Sequence, residues 1–125
     1  MTELGQLLQA NEQAGIQAFA GALLSEDDAQ LAVLWLFGSK ARGDSSPSSD
    51  IDLLVIVKQL TPQLRWHIRE VAADCSLDYD VLLNTHILTE QEWNKHISWR
   101  STLWRQIQQD GIPITSNQEQ LQGTI

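Results

Sequence analysis

The sequence predicts an α/β (α+β) protein in which helices pack on a small mixed central sheet. Short apolar segments that suit buried strands alternate with longer segments whose apolar residues recur at helical spacing. Ser, Thr, Gly and Pro residues stand where the helical segments begin and stop. The 125 residues suffice for one domain around one hydrophobic core. The expected element order is αβ(α)βαβα.

The first part of the chain supplies a helix, a buried strand and a polar loop. Apolar residues recur at helical spacing over about residues 3–24, which predicts an amphipathic helix. The segment 31–37 is wholly apolar, as in a strand buried on both faces. Gly38-Ser39 ends that strand. Residues 40–42 are expected to form a short helical turn, and the breaker-rich residues 43–49 a loop.

Two further strands and a helix are predicted in the middle of the chain. Residues 50–57 are mostly apolar and predict the second strand. Thr61 is an N-cap followed by Pro62 at the first helical position, so a helix should begin there and run to about residue 74. Residues 77–83 alternate apolar and acidic side chains before an apolar end, which predicts the third strand.

The last helix is marked at both of its ends. Thr89 and Glu92 have the spacing of a capping box, and Gly111 is a C-terminal stop, so one helix is expected to run to Asp110. The single domain is expected to cover residues 1–115. Residues 116–125 are a polar C-terminal tail.

Charge and cysteine content restrict the class of protein. Eight Lys and Arg against 16 Asp and Glu give a net charge of −8, which argues against binding of extended nucleic acid through its phosphates. Cys75 is the only cysteine, so no internal disulfide forms, and a small partly buried thiol is expected. The chain shows neither a signal-peptide pattern nor an apolar run of about 20 residues. These features predict a cytoplasmic protein without a membrane segment.

A turn of small residues followed by two carboxylates is the most informative feature of the sequence. Gly38-Ser39 closes one apolar strand, and Asp50 and Asp52 open the next after ten intervening residues. Residues i and i+2 of a strand project to the same face, so the two carboxylates should point together. Like charges so placed repel one another unless a cation lies between them. The pattern predicts a phosphate-binding turn that faces a divalent-metal site.

Such a site suits the displacement of pyrophosphate from a nucleoside triphosphate by an attacking hydroxyl. Two Mg²⁺ ions held by Asp50 and Asp52 could stabilise the charge on the attacking and leaving oxygens. Gly38 would let the backbone approach the phosphates, and Ser39 would offer its hydroxyl and amide. A third carboxylate is expected on the third strand, where Asp78 and Asp80 share a face. Asp80 is favoured as metal ligand and candidate general base, although periodicity does not separate the two.

These residues carry a specific resemblance to a known family. The segments Gly38-Ser-Lys-Ala-Arg-Gly43 and Ser49-Asp-Ile-Asp-Leu-Leu-Val55 are similar to the signature of the polymerase β-like nucleotidyltransferases, in their minimal (MNT) branch. The resemblance covers roughly residues 30–115, and Asp80 falls where the third acidic residue is found. It implies the nucleotidyltransferase fold, Mg²⁺-dependent transfer of a nucleoside monophosphate, and ATP as substrate. It also implies an antitoxin that transfers AMP to a tyrosine of a HEPN ribonuclease toxin, its cognate partner.

The acceptor is expected to be a protein because little of the chain remains to hold another substrate. Members that act on a template or a small molecule need a further domain, and none is visible in the sequence. Two alternatives stay open. One is a non-catalytic antitoxin that binds its partner through a vestigial nucleotide site. The other is a nucleotidyltransferase that acts on a small molecule or an RNA end.

Three further residues lie near the turn in the sequence. Arg42 could neutralise the triphosphate, or it could pair with Asp44 or another neighbouring carboxylate. Lys40, at the variable position of the signature, is expected to face solvent. Ser49 could orient Asp50 through a side-chain hydrogen bond.

The five tryptophans and three histidines are read mainly as structural residues. Trp35 and Trp66 are expected in the core, whereas Trp99 could contact a partner. One helical stripe is predicted to pack inward; it comprises Trp93, Ile97, Trp104 and Ile107. The histidines have no mutual spacing that suits a zinc site or a catalytic pair, so surface or capping roles are expected for His67, His86 and His96.

Overall fold

The structure is a computed structural model that describes residues 8–24, 31–43 and 49–114. Within these ranges the chain forms five helices and four strands. The helices are α1 (Ala10–Leu24), α2 (Ser39–Arg42), α3 (Pro62–Tyr79), α4 (Glu90–Trp99) and α5 (Thr102–Asp110). The strands are β1 (Leu31–Phe37), β2 (Ile51–Val57), β3 (Leu83–Thr89) and β4 (Ile112–Pro113). The start of the predicted first helix, the centre of the 43–49 loop and the tail 116–125 lie outside the described residues.

The four strands form one mixed sheet in the order β3-β2-β1-β4. Strand β1 runs antiparallel to both β2 and β4, whereas β2 and β3 are parallel and are joined by the crossover helix α3. The predicted small mixed sheet with helices packed on it is therefore confirmed. The short strand β4 was not expected from the sequence, because Pro113 was read only as part of the end of the last helix.

Helices cover both faces of the sheet. On one face, α1 and α3 pack against the sheet through buried apolar side chains, among them Phe19 and Ile68. On the other face, Phe37, Leu54 and Ile107 form a second cluster on which Trp35 and Trp93 pack. The apolar residues of β2 after Asp52 are all buried, which explains why they read as an uninterrupted apolar run. The register of β2 with β1 and β3 sets the position of the carboxylates at its beginning.

The predicted strand over residues 77–83 is wrong. Helix α3 continues through Tyr79, and Asp80 ends it in the left-handed conformation at φ 56°. The third strand is instead Leu83–Thr89. The apolar and acidic alternation of residues 77–80 belongs to an exposed helical turn, in which the Leu77 side chain is 82% exposed. Ser76 stabilises the change of direction, because its hydroxyl donates to the Ala72 carbonyl and accepts from the Leu83 N–H.

The single last helix is also corrected, because the segment consists of two helices. The expected capping box of Thr89 and Glu92 starts α4. That helix ends at Arg100, which adopts the left-handed conformation at φ 50°. Ser101 then caps α5 by accepting the Trp104 N–H at 3.1 Å. The break divides the predicted apolar stripe: Ile107 is buried in the second cluster, whereas Ile97 on α4 is 41% exposed.

Candidate functional site

Gly38 forms a tight turn between β1 and the short helix α2. Its φ of +83° lies in the left-handed region that favours glycine. A Cβ at this position would stand 2.6 Å from Asp52 Oδ2, which is far inside van der Waals contact. The turn is held by the Arg42 N–H, which donates to the Gly38 carbonyl at 3.1 Å. Conformation and space thus both require glycine, and Ser39 begins α2 directly after it.

The register of the sheet brings the turn and the carboxylates together. Phe37 at the end of β1 pairs with Asp52 near the start of the antiparallel strand β2. Gly38, which follows Phe37, is therefore adjacent to the Asp52 carboxylate. The short distance from its Cβ position to Asp52 Oδ2 agrees with this register. The Asp52 side chain is 26% exposed. Asp50 immediately precedes β2 and is exposed. The expected juxtaposition of the turn with Asp52 is thus present.

Strand β3 adds two polar side chains that the sequence reasoning did not assign to the site. Asp52 pairs with Asn84 in the parallel register, and Asn84 Nδ2 donates to Asp52 Oδ1 at 3.0 Å. His86 lies two residues further along the same face of β3, with Nε2 at 3.5 Å from the same oxygen. Its ring also packs edge-on against Phe37, at 5.1 Å between centroids. His86 therefore borders the site, and its side chain is 40% exposed, as the expected surface role requires.

The error in the third strand caused this omission. With β3 placed at 77–83, Asp80 fell beside Asp52 and the residues Asn84 and His86 fell beyond the strand. The i, i+2 spacing of Asn84 and His86 places both on one face of a strand, and this is the signal in the sequence that could have found them. It becomes informative only once the strand is correctly placed.

Asp80 lies in a loop next to the site and not on a strand. Together with Ser49 and Ile51, the residues on either side of Asp50, it lines a polar cavity that also reaches the first turn of α1. The Asp80 carbonyl accepts from Asn11 Nδ2 at 3.4 Å. Within the described part of the chain, no three Asp, Glu, His or Cys side chains come together as a metal-binding group. The structure thus places Asp80 in a cavity with the two neighbours of Asp50 and does not group it with Asp50 and Asp52.

Lys40, expected to face solvent, is buried instead and this expectation is wrong. Only 3% of Lys40 is exposed, and its Nζ forms an ion pair with the Glu12 carboxylate, which is also buried. Glu12 also accepts the Gln9 N–H at 2.8 Å and so caps the start of α1. A buried ion pair needs good hydrogen-bonding geometry to offset the loss of hydration. The pair fastens α2, and with it the Gly38 turn, to α1.

Arg42 ends α2 beside a carboxylate of the last helix. Its Nη1 lies 3.6 Å from Asp110 Oδ2, and the Arg42 side chain is 40% exposed. The expected pairing with a neighbouring carboxylate is thus met by Asp110, while Asp44 lies outside the described residues.

Some of the tryptophan side chains and the single cysteine lie in the core, and other tryptophans lie on the surface. Trp35 packs against the second cluster as expected, but Trp66 is 70% exposed on α3, so its assignment to the core is wrong. Trp99 is 73% exposed, which is compatible with the expected partner contact. The Cys75 thiol is buried as expected. Burial raises its pKa, and the nearby carboxylates of Asp78 and Asp74 raise it further.

Among the helices of the described residues, none has the length and apolar character required to cross a membrane.

Comparison with known proteins gives the same picture at the level of sequence. Residues 22–120 match the family described as polymerase beta, nucleotidyltransferase. A Methanocaldococcus jannaschii protein named as a candidate protein adenylyltransferase is 33% identical over 89 residues, which are 71% of this chain and 85% of that protein. A second protein of that organism with the same designation is 44% identical over 50 residues. This match covers 39% of the chain and half of the relative.

Solved structures support the fold. A candidate nucleotidyltransferase from Sulfolobus solfataricus superimposes with a TM-score of 0.52 at 18% identity, covering 90% of this chain and 86% of that one. A toxin–antitoxin complex with AMP-PNP has the same TM-score at 23% identity, covering 83% and 77%. A mutant of the toxin–antitoxin MntA–HpeT also scores 0.52 at 21% identity, covering 82% and 75%.

Proposed function

The chain belongs to the polymerase β nucleotidyltransferase family, and from that premise we propose that it transfers AMP from ATP to a hydroxyl group of a partner protein. The observation that carries the proposal is the contact between the Gly38 turn and the Asp52 carboxylate. A Cβ at Gly38 would stand 2.6 Å from Asp52 Oδ2, so only glycine allows this turn to lie so close to the carboxylate. The turn is suited to holding a polyphosphate next to a metal ligand.

The donor set fits Mg²⁺, which would be held by Asp50 and Asp52. Magnesium in phosphoryl-transfer sites is bound by one or two carboxylates and is completed by substrate phosphates and water, not by a cage of protein ligands. Two acidic side chains at the exposed start of β2 match that requirement. When bound, the ion would neutralise the charge that develops on the phosphate oxygens.

The residues around the carboxylates position and stabilise the donor nucleotide. Gly38 allows the backbone to approach the phosphates, and Ser39 offers a hydroxyl and a helical N–H. Arg42, which is partly exposed, supplies a positive charge for the β- and γ-phosphates. Asn84 orients Asp52 by donating to Oδ1, so that Oδ2 faces the turn.

The chemical step exchanges one bond at the α-phosphorus for another. The acceptor oxygen forms a bond to the α-phosphorus, the bond to the bridging oxygen of pyrophosphate breaks, and pyrophosphate leaves with its electron pair. The hydroxyl proton passes to a carboxylate oxygen. We assign that role to Asp80, which shares a cavity with the residues that flank Asp50, and we retain it as a candidate third metal ligand.

The partner is proposed to be the cognate HEPN ribonuclease toxin, with a tyrosine as the acceptor. The family resemblance of the signature supports this, as do the two curated relatives named as candidate protein adenylyltransferases. Two of the superimposed structures are toxin–antitoxin assemblies, one of them with AMP-PNP. Modification of a tyrosine would silence the toxin, so the chain would act as an antitoxin.

The test combines the chain, the product of its neighbouring gene, Mg²⁺ and ATP labelled at either the α- or the γ-phosphate. We expect the α-label on a tyrosine of the partner and the γ-label in released pyrophosphate. EDTA and the double variant Asp50→Ala/Asp52→Ala should abolish labelling. Asp78→Asn, at an exposed carboxylate on α3, is the matched control and should label at the wild-type rate.

Two results would contradict the proposal. The γ-label on the partner would indicate a kinase reaction. Full neutralisation of the toxin by the double variant would indicate that binding alone suffices. Comparison of Asp80→Asn with Asp78→Asn tests the Asp80 assignment, since only the first should slow transfer.

A further inference from the structure

Strand β3 is the outer strand of the sheet in the described residues, and its free edge runs beside helix α3. The hydrogen bonds to β2 determine which residues face that edge. The Ile51 N–H donates to the Leu82 carbonyl at 2.8 Å, and Ile51 pairs with Leu83 in the parallel register. Backbone groups alternate in direction along a strand. The backbone N–H and C=O groups of Asn84, His86 and Leu88 therefore point towards β2. Those of the odd-numbered residues 83–89 point outward, away from the sheet.

The two ends of this edge are closed by side chains. The outward N–H of Leu83 donates to Ser76 Oγ at 3.1 Å, and that of Thr89 donates to Glu92 Oε1 at 2.9 Å. Between them, the outward N–H groups of Thr85 and Ile87 meet no acceptor within the described ranges. Exposed edges are usually blunted because they pair with other chains. The edge therefore has two outward N–H groups without an acceptor between two that are satisfied, although the Ile87 side chain itself is buried in the core.

A groove follows the same edge on the side of α3. It consists of two adjoining cavities that share Arg69. One extends past Leu77 and Leu82 to Asn84 and Thr85, and the other past Arg65 and Trp66 to Thr89. An extended segment paired with β3 would lie along this groove.

The groove combines apolar side chains with two arginines and one glutamate, Glu92, which caps α4, on an acidic protein. Trp66, Leu77 and Leu82 are 70%, 82% and 55% exposed, which is unusual for side chains of this size. Neither Arg65 nor Arg69 has a carboxylate within 4.0 Å in the part of the chain that the structure describes. The chain carries a net charge of −8, so two guanidinium groups beside an apolar rim favour an acidic ligand with apolar residues.

The groove is continuous with the candidate active site. Asn84 lines the groove and also donates to Asp52 Oδ1 at 3.0 Å. A chain segment paired with Thr85 would therefore pass close to the carboxylates of the site.

We propose that the acceptor protein docks through an extended acidic segment that adds a strand to β3 at Thr85 and Ile87. The segment's acidic side chains would pair with Arg65 and Arg69, and its apolar side chains would pack on Trp66 and Leu77. This proposal rests on the proposed function for the identity of the acceptor, and it gives that acceptor a recognisable chemistry.

The experiment measures binding and transfer separately. The probe is a fluorescein-labelled peptide of alternating glutamate and valine around one tyrosine, and its control has lysine in place of glutamate. Thr85→Pro removes one outward N–H without breaking a bond to β2, and Thr85→Val keeps that N–H. The charge reversal Arg65→Glu/Arg69→Glu is matched by Arg105→Glu, an exposed arginine on α5.

Fluorescence anisotropy should show that the acidic peptide binds at least about tenfold more tightly than the lysine peptide. Thr85→Pro and the double charge reversal should each weaken binding about tenfold or more, while Thr85→Val and Arg105→Glu should not. Equal binding of both peptides, or unchanged binding by both groove variants, would overturn the docking proposal. Binding as expected without transfer of the α-label to the peptide or to the partner would instead count against the proposed function alone.

Discussion

The Gly38 turn and the β3 edge lie on either side of Asp52 and are built in opposite ways. The turn is closed: its glycine touches the carboxylate, and the helix that follows is fastened to α1 by the buried pair of Lys40 and Glu12. The β3 edge is open: two of its residues have unpaired outward N–H groups within the described chain, and its rim is exposed and apolar. One side is held by contacts within the chain, and the other has two backbone N–H groups without an acceptor in the described residues.

This difference fits a reaction with a constant donor and a specific acceptor. A nucleotide that is the same in every turnover is best bound by a preorganised turn, because no reorganisation is needed at the moment of reaction. A protein acceptor is better recognised by an edge that pairs with its backbone and reads its charge. Asn84 connects the two regions, since it contacts Asp52 and lines the groove.

The largest expected effect concerns the buried ion pair of the closed region. Lys40→Met should destabilise the fold by about 3–5 kcal/mol, because it leaves the buried Glu12 carboxylate without its cation, and Glu12→Gln should also be destabilising, because it removes the anion beside the buried Lys40 ammonium. Removal of both partners should cost less than the sum of the single changes. Urea denaturation of the three variants measures this coupling.

The control is Arg42→Met, which removes the partly exposed contact with Asp110. It should lower the free energy of unfolding by less than about 1 kcal/mol. If the buried and exposed variants lose similar stability, the closed region is not held by Lys40 and Glu12.

The second largest effect is expected from substitution of Gly38, the glycine next to Asp52. Gly38→Ala should reduce transfer about 100-fold or more, because its φ of +83° is strained for alanine and its Cβ would displace the carboxylate. Gly21→Ala is the matched control, since a Cβ at Gly21 in α1 would meet no atom within 4 Å. It should leave transfer unchanged and stabilise the helix by about 0.5–1 kcal/mol. Equal activity of the two variants would remove the turn from the mechanism.

A smaller loss is expected where the two regions meet. Asn84→Ala should slow transfer about 10–100-fold, as is typical for a group that orients a metal-binding carboxylate. The defect should appear in kcat, with little change in the KM for ATP. Asn94→Ala, an exposed asparagine on α4, is the control. An unchanged kcat for Asn84→Ala would mean that Asp52 does not depend on its neighbour in β3.

The smallest expected effect is a difference in thiol reaction rate between the inner and the outer face of α3. Burial and the nearby Asp78 and Asp74 carboxylates raise the pKa of the Cys75 thiol. The folded state holds the thiol proton of Cys75 more tightly than the unfolded chain does. The protonated thiol therefore contributes to the stability of the fold below the ordinary thiol pKa, and this contribution is lost as pH rises through the raised pKa. Iodoacetamide should therefore react slowly with native Cys75 at pH 8 and faster in urea. In a Cys75→Ala background, Leu77→Cys should react at the rate of an exposed thiol; equal rates at both positions would contradict the inward orientation of Cys75.

Elements with strong local signals could be predicted from the sequence. The apolar run of β1, the Thr61-Pro62 start of α3 and the capping box of Thr89 and Glu92 are all present. The Gly38 turn and the placement of Asp52 beside it were predicted as well. Each depends on residues close in sequence whose conformational preferences agree with the fold.

The misplaced elements depend on contacts that are distant in sequence. Residues 77–80 alternate like a strand, but the hydroxyl of Ser76 and the left-handed Asp80 extend the helix and start β3 at Leu83. Lys40 reads as a surface residue until Glu12, 28 positions earlier, is placed beside it. His86 acquires its position only from the β2–β3 register. Local preference does not contain these tertiary pairings.

The central claim is that Asp52, held against the Gly38 turn, serves the transfer of AMP. The most direct test is the rate of α-label transfer from ATP to the partner protein by Asp52→Asn, which keeps the shape of the side chain and removes its charge. Asp74→Asn, an exposed carboxylate on α3, is measured in parallel. We expect a loss on the order of 1000-fold for Asp52→Asn with unchanged thermal stability, and the wild-type rate for Asp74→Asn. Transfer by Asp52→Asn within a few-fold of the wild-type rate would contradict the account.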